Sequence, residues 1–187
     1  MKPETSLVVL TIGHSTHVLD DFIGLLREYS VQKVVDIRTI PRSRHNPQFN
    51  REELHNSLKT VGVDYVHMAG LGGLRHSVRD SPNTGWRNLS FRGFADYMQK
   101  EEFEKSLEEL IEQAKTERVV LMCAEAVPWR CHRSLIADAL LVRCVQVEHI
   151  LSLTRLQAHK ITPWAKVDGT RITYPIGEPR SNQTSIL

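Results

Sequence analysis

Cysteine is scarce in this chain: 187 residues contain three, Cys123, Cys131 and Cys144. A small, odd number excludes a disulfide-knit secreted scaffold. The opening Met1–Ser6 runs straight into a strand-like segment, so no leader is expected and the cytoplasm is the expected compartment. Long apolar runs are also missing. None approaches the roughly 20 residues that a membrane-spanning helix needs, so no membrane partner is expected. An excess of charge of one sign is nearly absent, since 24 basic and 22 acidic residues leave a net +2. That is too little to argue for nucleic-acid binding from bulk electrostatics. No internal repeat or low-complexity block is present, which leaves one globular domain with one substantial core. We assign it to residues 1–176 and expect 177–187 to be an unstructured tail. Nothing in the sequence marks an oligomeric state.

What is present is an alternation of two patterns. Leu7–Ile12, Lys33–Ile37, Val63–His67, Arg118–Cys123 and Val145–Ile150 are short, β-branched apolar runs. Between them lie stripes of helical spacing. The first carries Phe22, Leu25, Leu26 and Tyr29, with Ser15 or Thr16 as the expected cap. The second carries Leu54, Leu58 and Val61, opened by an Asn50/Glu53 capping box and closed by Gly62. A third carries Phe103, Leu107, Leu110 and Ala114. Residues 69–93 read as a long loop, functional or a lid, with helix beginning at Phe94. The fold expected is α/β, a three-layer sandwich around a mainly parallel sheet of about five strands, Rossmann-like or flavodoxin-like. Such a sheet gathers its strand ends on one rim. His14, Ser15, Asp36, Arg38, His67, Cys123, Glu125 and His149 are all expected there.

The densest chemistry lies in 121–138, which reads as strand, loop with Pro128, then a helix opened by Cys131-His132-Arg133-Ser134. A helix start and nearby cations lower a thiol's pKa and attract anions, so Cys131, or Cys123, is a candidate nucleophile. The plain alternative is a buried cysteine acting as a small hydrophobe. A phosphatase-like or rhodanese-like loop would place Arg six positions after Cys123. Position 129 is Trp and Arg130 comes one too late, which counts against simple phosphoryl or sulfur transfer. Zinc ligation by Cys123, Cys131, His132, His14, His67 and His149 is chemically admissible, but Cys123 and Cys131 lack zinc-knuckle spacing. No metal and no other cofactor is expected.

Arginine supplies the rest. Residues 38–51 hold Arg38, Arg42, Arg44 and Arg51 without one acid, and 75–92 hold four arginines against Asp80. Guanidinium forks in Gly/Pro loops suit phosphate or carboxylate, and Phe49, Trp86, Phe91 and Trp129 among them could stack bases. The candidate catalytic residues are Cys123, Glu125, His14, Asp36, Cys131 and His132. Asp36 would act as a general base or orient an arginine. The candidate binding residues are Ser15, Arg38, Arg42, Ser43, Gly72, Gly73, Arg75, Arg133 and Ser134, aided by amides of the helix from 132 to 143.

Taken together, Thr11–Ser15, Asp36-Ile-Arg38 with Pro41 and Ser43, Tyr65 through Leu71–Arg75, Phe94–Met98, Cys123-Ala-Glu125 with Pro128, Cys131–Ser134 and Val147–Ile150 resemble the bacterial and archaeal DUF488 proteins. The resemblance spans about residues 7–150 but does not extend to Trp129-Arg130. It implies an α/β fold with these motifs on one rim, and it implies no reaction. The expected function is an enzyme, transferase or hydrolase, acting on an anionic substrate derived from a nucleotide or nucleic acid. The alternatives are a non-catalytic module binding nucleic acid or phosphate and, lower, a redox sensor using Cys123 and Cys131.

Overall fold

The computed structural model describes residues 7–176; the 177–187 tail lies outside them. Six strands form one sheet: β1 (Val8–Gly13), β2 (Lys33–Asp36), β3 (Asp64–His67), β4 (Val119–Cys123), β5 (Gln146–Ser152) and β6 (Arg155–Ala158). Their order is β3-β2-β4-β1-β5-β6. The first five are parallel, and β6 joins the edge antiparallel to β5. β6 was not foreseen because its residues are mostly exposed, which leaves no apolar alternation to read. A separate hairpin pairs β7 (Lys166–Asp168) with β8 (Arg171–Thr173). In the Rossmann and flavodoxin orders β1 and β2 are neighbours. Here β4 lies between them.

Strand side chains alternate between faces, and the two cores follow that parity. On one face Leu10, Ile12, Val34, Val120 and Met122 pack against α1 (Leu19–Glu28) and α2 (Arg51–Thr60). On the other, Val9, Val35, Val119, Leu121 and Cys123 pack against α3 (Leu89–Tyr97), α4 (Glu101–Thr116) and α5 (Arg133–Leu141). β1 and β2 therefore send their helices to one face, while β4 between them sends α5 to the other. Neighbouring strands whose helices part in this way leave a crevice at their carboxyl ends.

Two expected caps are absent. Val18, not Ser15 or Thr16, is the N-cap of α1, and it makes no side-chain bond. Asn50 caps α2 in position only, because its Oδ1 accepts from Ser43 N at 2.8 Å. At Asn50 the demand of the loop outweighs helix capping. The 69–93 segment also differs from a free lid. Helix begins at Leu89, where the Asn88 side chain accepts from Ser90 N and Phe91 N. Upstream, buried Asp96 accepts from Val78 N, Ser81 Oγ and Asn83 Nδ2 at 2.9, 2.5 and 2.7 Å. Losing a charged acceptor with three donors costs roughly 3 kcal/mol. We expect Asp96→Ala to lose about that much in urea unfolding and to speed tryptic cleavage at Arg79. Unchanged cleavage would show that the loop is held by other contacts.

Candidate active site

The rim assembles from the buried carboxylate at the end of β2. Asp36 accepts from Arg38 N and Nε on Oδ1 at 3.0 and 2.9 Å, and from Arg38 Nη2 and Tyr65 OH on Oδ2 at 2.6 and 2.7 Å. Arg38 continues to Phe49 O at 2.7 Å and to His14 Nε2 at 3.2 Å. Arg38 only donates, so His14 Nε2 is an acceptor, and Nδ1 carries the proton that it gives to Ser15 O at 3.0 Å. Burial first, then Arg38, pulls the pKa of His14 down to about 4. Asp36 thus orients an arginine, and neutral His14 has its lone pair already engaged. Neither is free for proton transfer.

The loop after β4 is threaded tightly over β1. Gly13 is required there: a Cβ would stand 1.8 Å from Glu125 O. Arg133 was expected to clamp an external anion, but it turns inward and is 1% exposed. Its Nη2 donates to Glu125 O at 2.7 Å and its Nη1 to Thr11 Oγ1 at 3.5 Å, pinning the loop to β1. The first turn of α5 is likewise closed to outside ligands. Ser134 N donates to Cys131 O and Leu135 N to His132 O. Arg133 N points at Cys131 Sγ, 3.5 Å away. The anion that this helix start favours is the cysteine's own sulfur.

Cys131 Sγ lies 2.9 Å from Cys123 Sγ and 3.6 Å from His132 Nδ1. Both cysteines are free and buried. His132 Nε2 faces two carbonyl oxygens, Ile37 O at 3.2 Å and Leu71 O at 3.1 Å. Carbonyls only accept, so Nε2 carries the proton and Nδ1 turns its lone pair to the sulfur. The hydrogen bond shared with Cys123 holds the Cys131 thiol well below the ordinary thiol range, helped by His132 and the charge of Arg133 against the cost of burial. Burial, then the neighbouring sulfur, pushes Cys123 up. Gly73 admits the imidazole, since a Cβ there would sit 3.0 Å from Nδ1.

Above this floor opens a cleft of about 480 Å³. Of the expected residues, His14, Arg38, Arg42, Ser43, Gly73, Cys123, Glu125, Cys131 and His132 line it. Six do not. Asp36 lies beneath it. Ser15 is not part of the lining, and its backbone N donates to Ala124 O. Gly72 packs on Thr39. Arg75 stacks on Tyr97 at 3.7 Å. Arg133 is the internal clamp, and Ser134 donates to Cys131 O. His149, expected at a strand end, lies inside β5, which runs on to Ser152. Its Nδ1 meets Thr11 Oγ1 at 2.7 Å and its Nε2 meets His159 Nδ1 at 3.0 Å. The chain of contacts ends at Asp138, 2.9 Å from His159 Nε2. Burial, with His159 and Arg133, lowers the pKa of His149 to about 3.

Besides Thr39, Ile40, Leu74 and Ala124, the cleft wall holds Arg130, Asn88 and Ser90, which sequence reasoning missed, and Phe91, which it read only as a stacking ring. Arg130 had been set aside as lying outside the family resemblance. The other three fell in the presumed loop, although Asn88 ahead of Leu89 and Phe91 is a cap signal. Arg42, Glu125 and Arg130 are exposed residues of the cleft lining. Among the described residues, no group of three or more His, Cys, Asp or Glu side chains is placed to hold a metal ion. No helix among them is long and apolar enough to cross a membrane.

Fold and cleft together define an α/β protein with a paired-thiol cleft at the carboxyl rim of a mainly parallel sheet. The chain belongs to the DUF488 family: the model of this domain of unknown function matches residues 18–140. That span takes in Asp36, Arg38 and both rim cysteines. No curated protein and no solved structure matches the chain.

The two buried histidines set an acid limit. Unfolded, each binds a proton as pH falls through about 6.5; folded, His14 waits until about 4 and His149 until about 3. In that window the unfolded chain holds more protons, so stability falls as pH falls, by up to about 2 kcal/mol per histidine at pH 5. Urea midpoints at pH 7.5 and pH 5 should separate accordingly, and His14→Gln should narrow the gap. An equal gap in wild type and variant would sink this account.

Proposed function

We propose that the rim cleft is the active site of an enzyme that uses the Cys131 thiolate as a nucleophile on an anionic substrate. The observation that carries the reading is the contact set at Cys131 Sγ: Cys123 at 2.9 Å and, at 3.6 Å, a His132 Nδ1 lone pair aimed by two carbonyls. A nucleophile, a base and a fixed orienter of the base are the parts of covalent catalysis by sulfur. His132 takes the thiol proton, and the Cys123 S–H and Arg133 N–H stabilise the sulfur charge. Arg42 and Arg130 receive the anionic group of the substrate, and the free Arg38 Nη1 hydrogen adds a donor from below. Sulfur bonds to the electrophilic atom, the leaving group departs with the proton from His132, and water or a second acceptor discharges the adduct. Position 137, six residues after Cys131, is Ala, so no loop arginine stands where a phosphatase-like site would need one, and that argues against a phosphoryl group as the one transferred.

A second reading, a reversible thiol sensor, draws on the same 2.9 Å approach. A peroxide would oxidise the two thiols to a disulfide, leaving alcohol and water. Failure to find a dithiothreitol-reversible Cys123–Cys131 disulfide after mild peroxide would remove it. A binding module without chemistry would keep its ligand after both cysteines are changed to serine and would lose affinity steeply with salt.

Alkylation tests the enzyme reading directly. Iodoacetamide should modify Cys131 ahead of Cys123, with a pH midpoint well below that of an ordinary thiol. Gly73→Ala, by displacing His132, should raise that midpoint. Anionic iodoacetate should react faster relative to iodoacetamide than it does with free cysteine, and Arg42→Gln with Arg130→Gln should abolish the advantage. An ordinary midpoint, or reaction first at Cys123, would overturn the proposal.

A further inference from the structure

A second concavity, of about 290 Å³, is lined by residues next in sequence or in contact with those of the thiol cleft. All three tryptophans of the chain line it: Trp86, Trp129 and Trp164. Scattered apolar residues on a surface need no explanation, but three indoles around one hollow do. Trp129 leaves 60% and Trp164 42% of its surface in water. Trp86 stands edge-on to Trp164 at 5.1 Å and packs on its other side against Phe91 at 4.8 Å. Phe91 belongs to the wall of the thiol cleft, so the Trp86–Phe91 pair divides the two spaces. The second divider is the 3₁₀ turn Pro128–Arg130, where Trp129 lines the groove and Arg130 the cleft. Lys160 adds a cation on the groove side.

We propose that this groove is a nucleobase subsite of the same active site. A nucleotide would stack its base on Trp129 and Trp164 and extend its phosphate to Arg130 at the edge of the cleft. The proposal rests on the reading of the rim cleft as the substrate site and names the class of that substrate. Three features argue for it. Exposed indole faces attract flat π systems, and every base has such a face. Neighbouring residues, whose Cα atoms are about 3.8 Å apart, hold an aromatic ring and a guanidinium within the span of one nucleotide. The hollow is close to the small end of ligand pockets, about 300 Å³, which suits one base and not a docked helix. Gln157 on the wall offers a polar partner for a base edge.

Calorimetric titration with adenosine 5′-monophosphate, ribose 5-phosphate and a single-stranded deoxyadenosine octamer tests the idea, with Cys131 alkylation as a second readout. We expect adenosine monophosphate to bind at least about tenfold more tightly than ribose 5-phosphate and to slow alkylation of Cys131. Trp129→Ala should remove that tenfold preference, leaving ribose 5-phosphate affinity and the ligand-free alkylation rate unchanged. Arg130→Gln should weaken both phosphates alike. Octamer affinity equal to that of the mononucleotide assigns the subsite to free nucleotides, and much tighter, steeply salt-dependent octamer binding assigns it to single strands. Equal affinity for the two monophosphates, or an indifferent Trp129→Ala, overturns the subsite. Alkylation of the ligand-free protein judges the thiolate reading separately.

Discussion

A carboxylate shut away from water dictates the shape of the rim. Asp36 is fully buried at the end of β2, and an unpaired charge there would cost several kcal/mol. Arg38 must therefore stay folded back on it, and Tyr65 must reach across from β3. The donors left on Arg38 then settle the neighbours: one fixes His14 at the end of β1, another the carbonyl of Phe49. One ion pair thus ties together the ends of three strands and the basic loop between β2 and α2. Its worth lies less in net stability than in allowing few alternative arrangements.

On that frame the loop after β4 has one course, over Gly13 and under the Arg133 guanidinium. The result is an economical use of charge. Arg133 serves the fold through Glu125 O and Thr11, yet its backbone N–H and its charge also favour a thiolate at Cys131. The helix start that would have drawn a ligand is occupied by the protein's own sulfur. In the proposed function, anion capture therefore belongs to the exposed side chains of Arg42 and Arg130, which line the same cleft. Division of labour between inward-turned and exposed arginines explains why five arginines, Arg38, Arg42, Arg75, Arg130 and Arg133, have unlike surroundings.

Much of this was legible beforehand. The five apolar strand runs and the stripes of α1, α2 and α4 follow from periodicity alone, and five of the six candidate catalytic residues line one cleft. The exception, Asp36, lies just beneath. Less legible was anything that depends on a partner far along the chain. Arg133 and Arg130 look alike in sequence, and only the course of the loop sends one inward and the other outward. Arg75 stacks on Tyr97, and Ser134 turns to Cys131 O, for the same reason. The start of α3 was misplaced because Leu89, Ser90 and Phe91 are mostly solvated at their first turn, which mutes the stripe.

By itself the sequence determined the five parallel strands, the stripes of α1, α2 and α4 and the rim where their polar residues gather, because apolar period and turn residues are local properties. Only the tertiary structure decided that β4 sits between β1 and β2, that two cysteines eight positions apart meet at 2.9 Å, and that three tryptophans from three segments share one hollow. Strand order and sulfur–sulfur contact are set by which surfaces bury each other best, a sum over the whole chain that no single segment encodes.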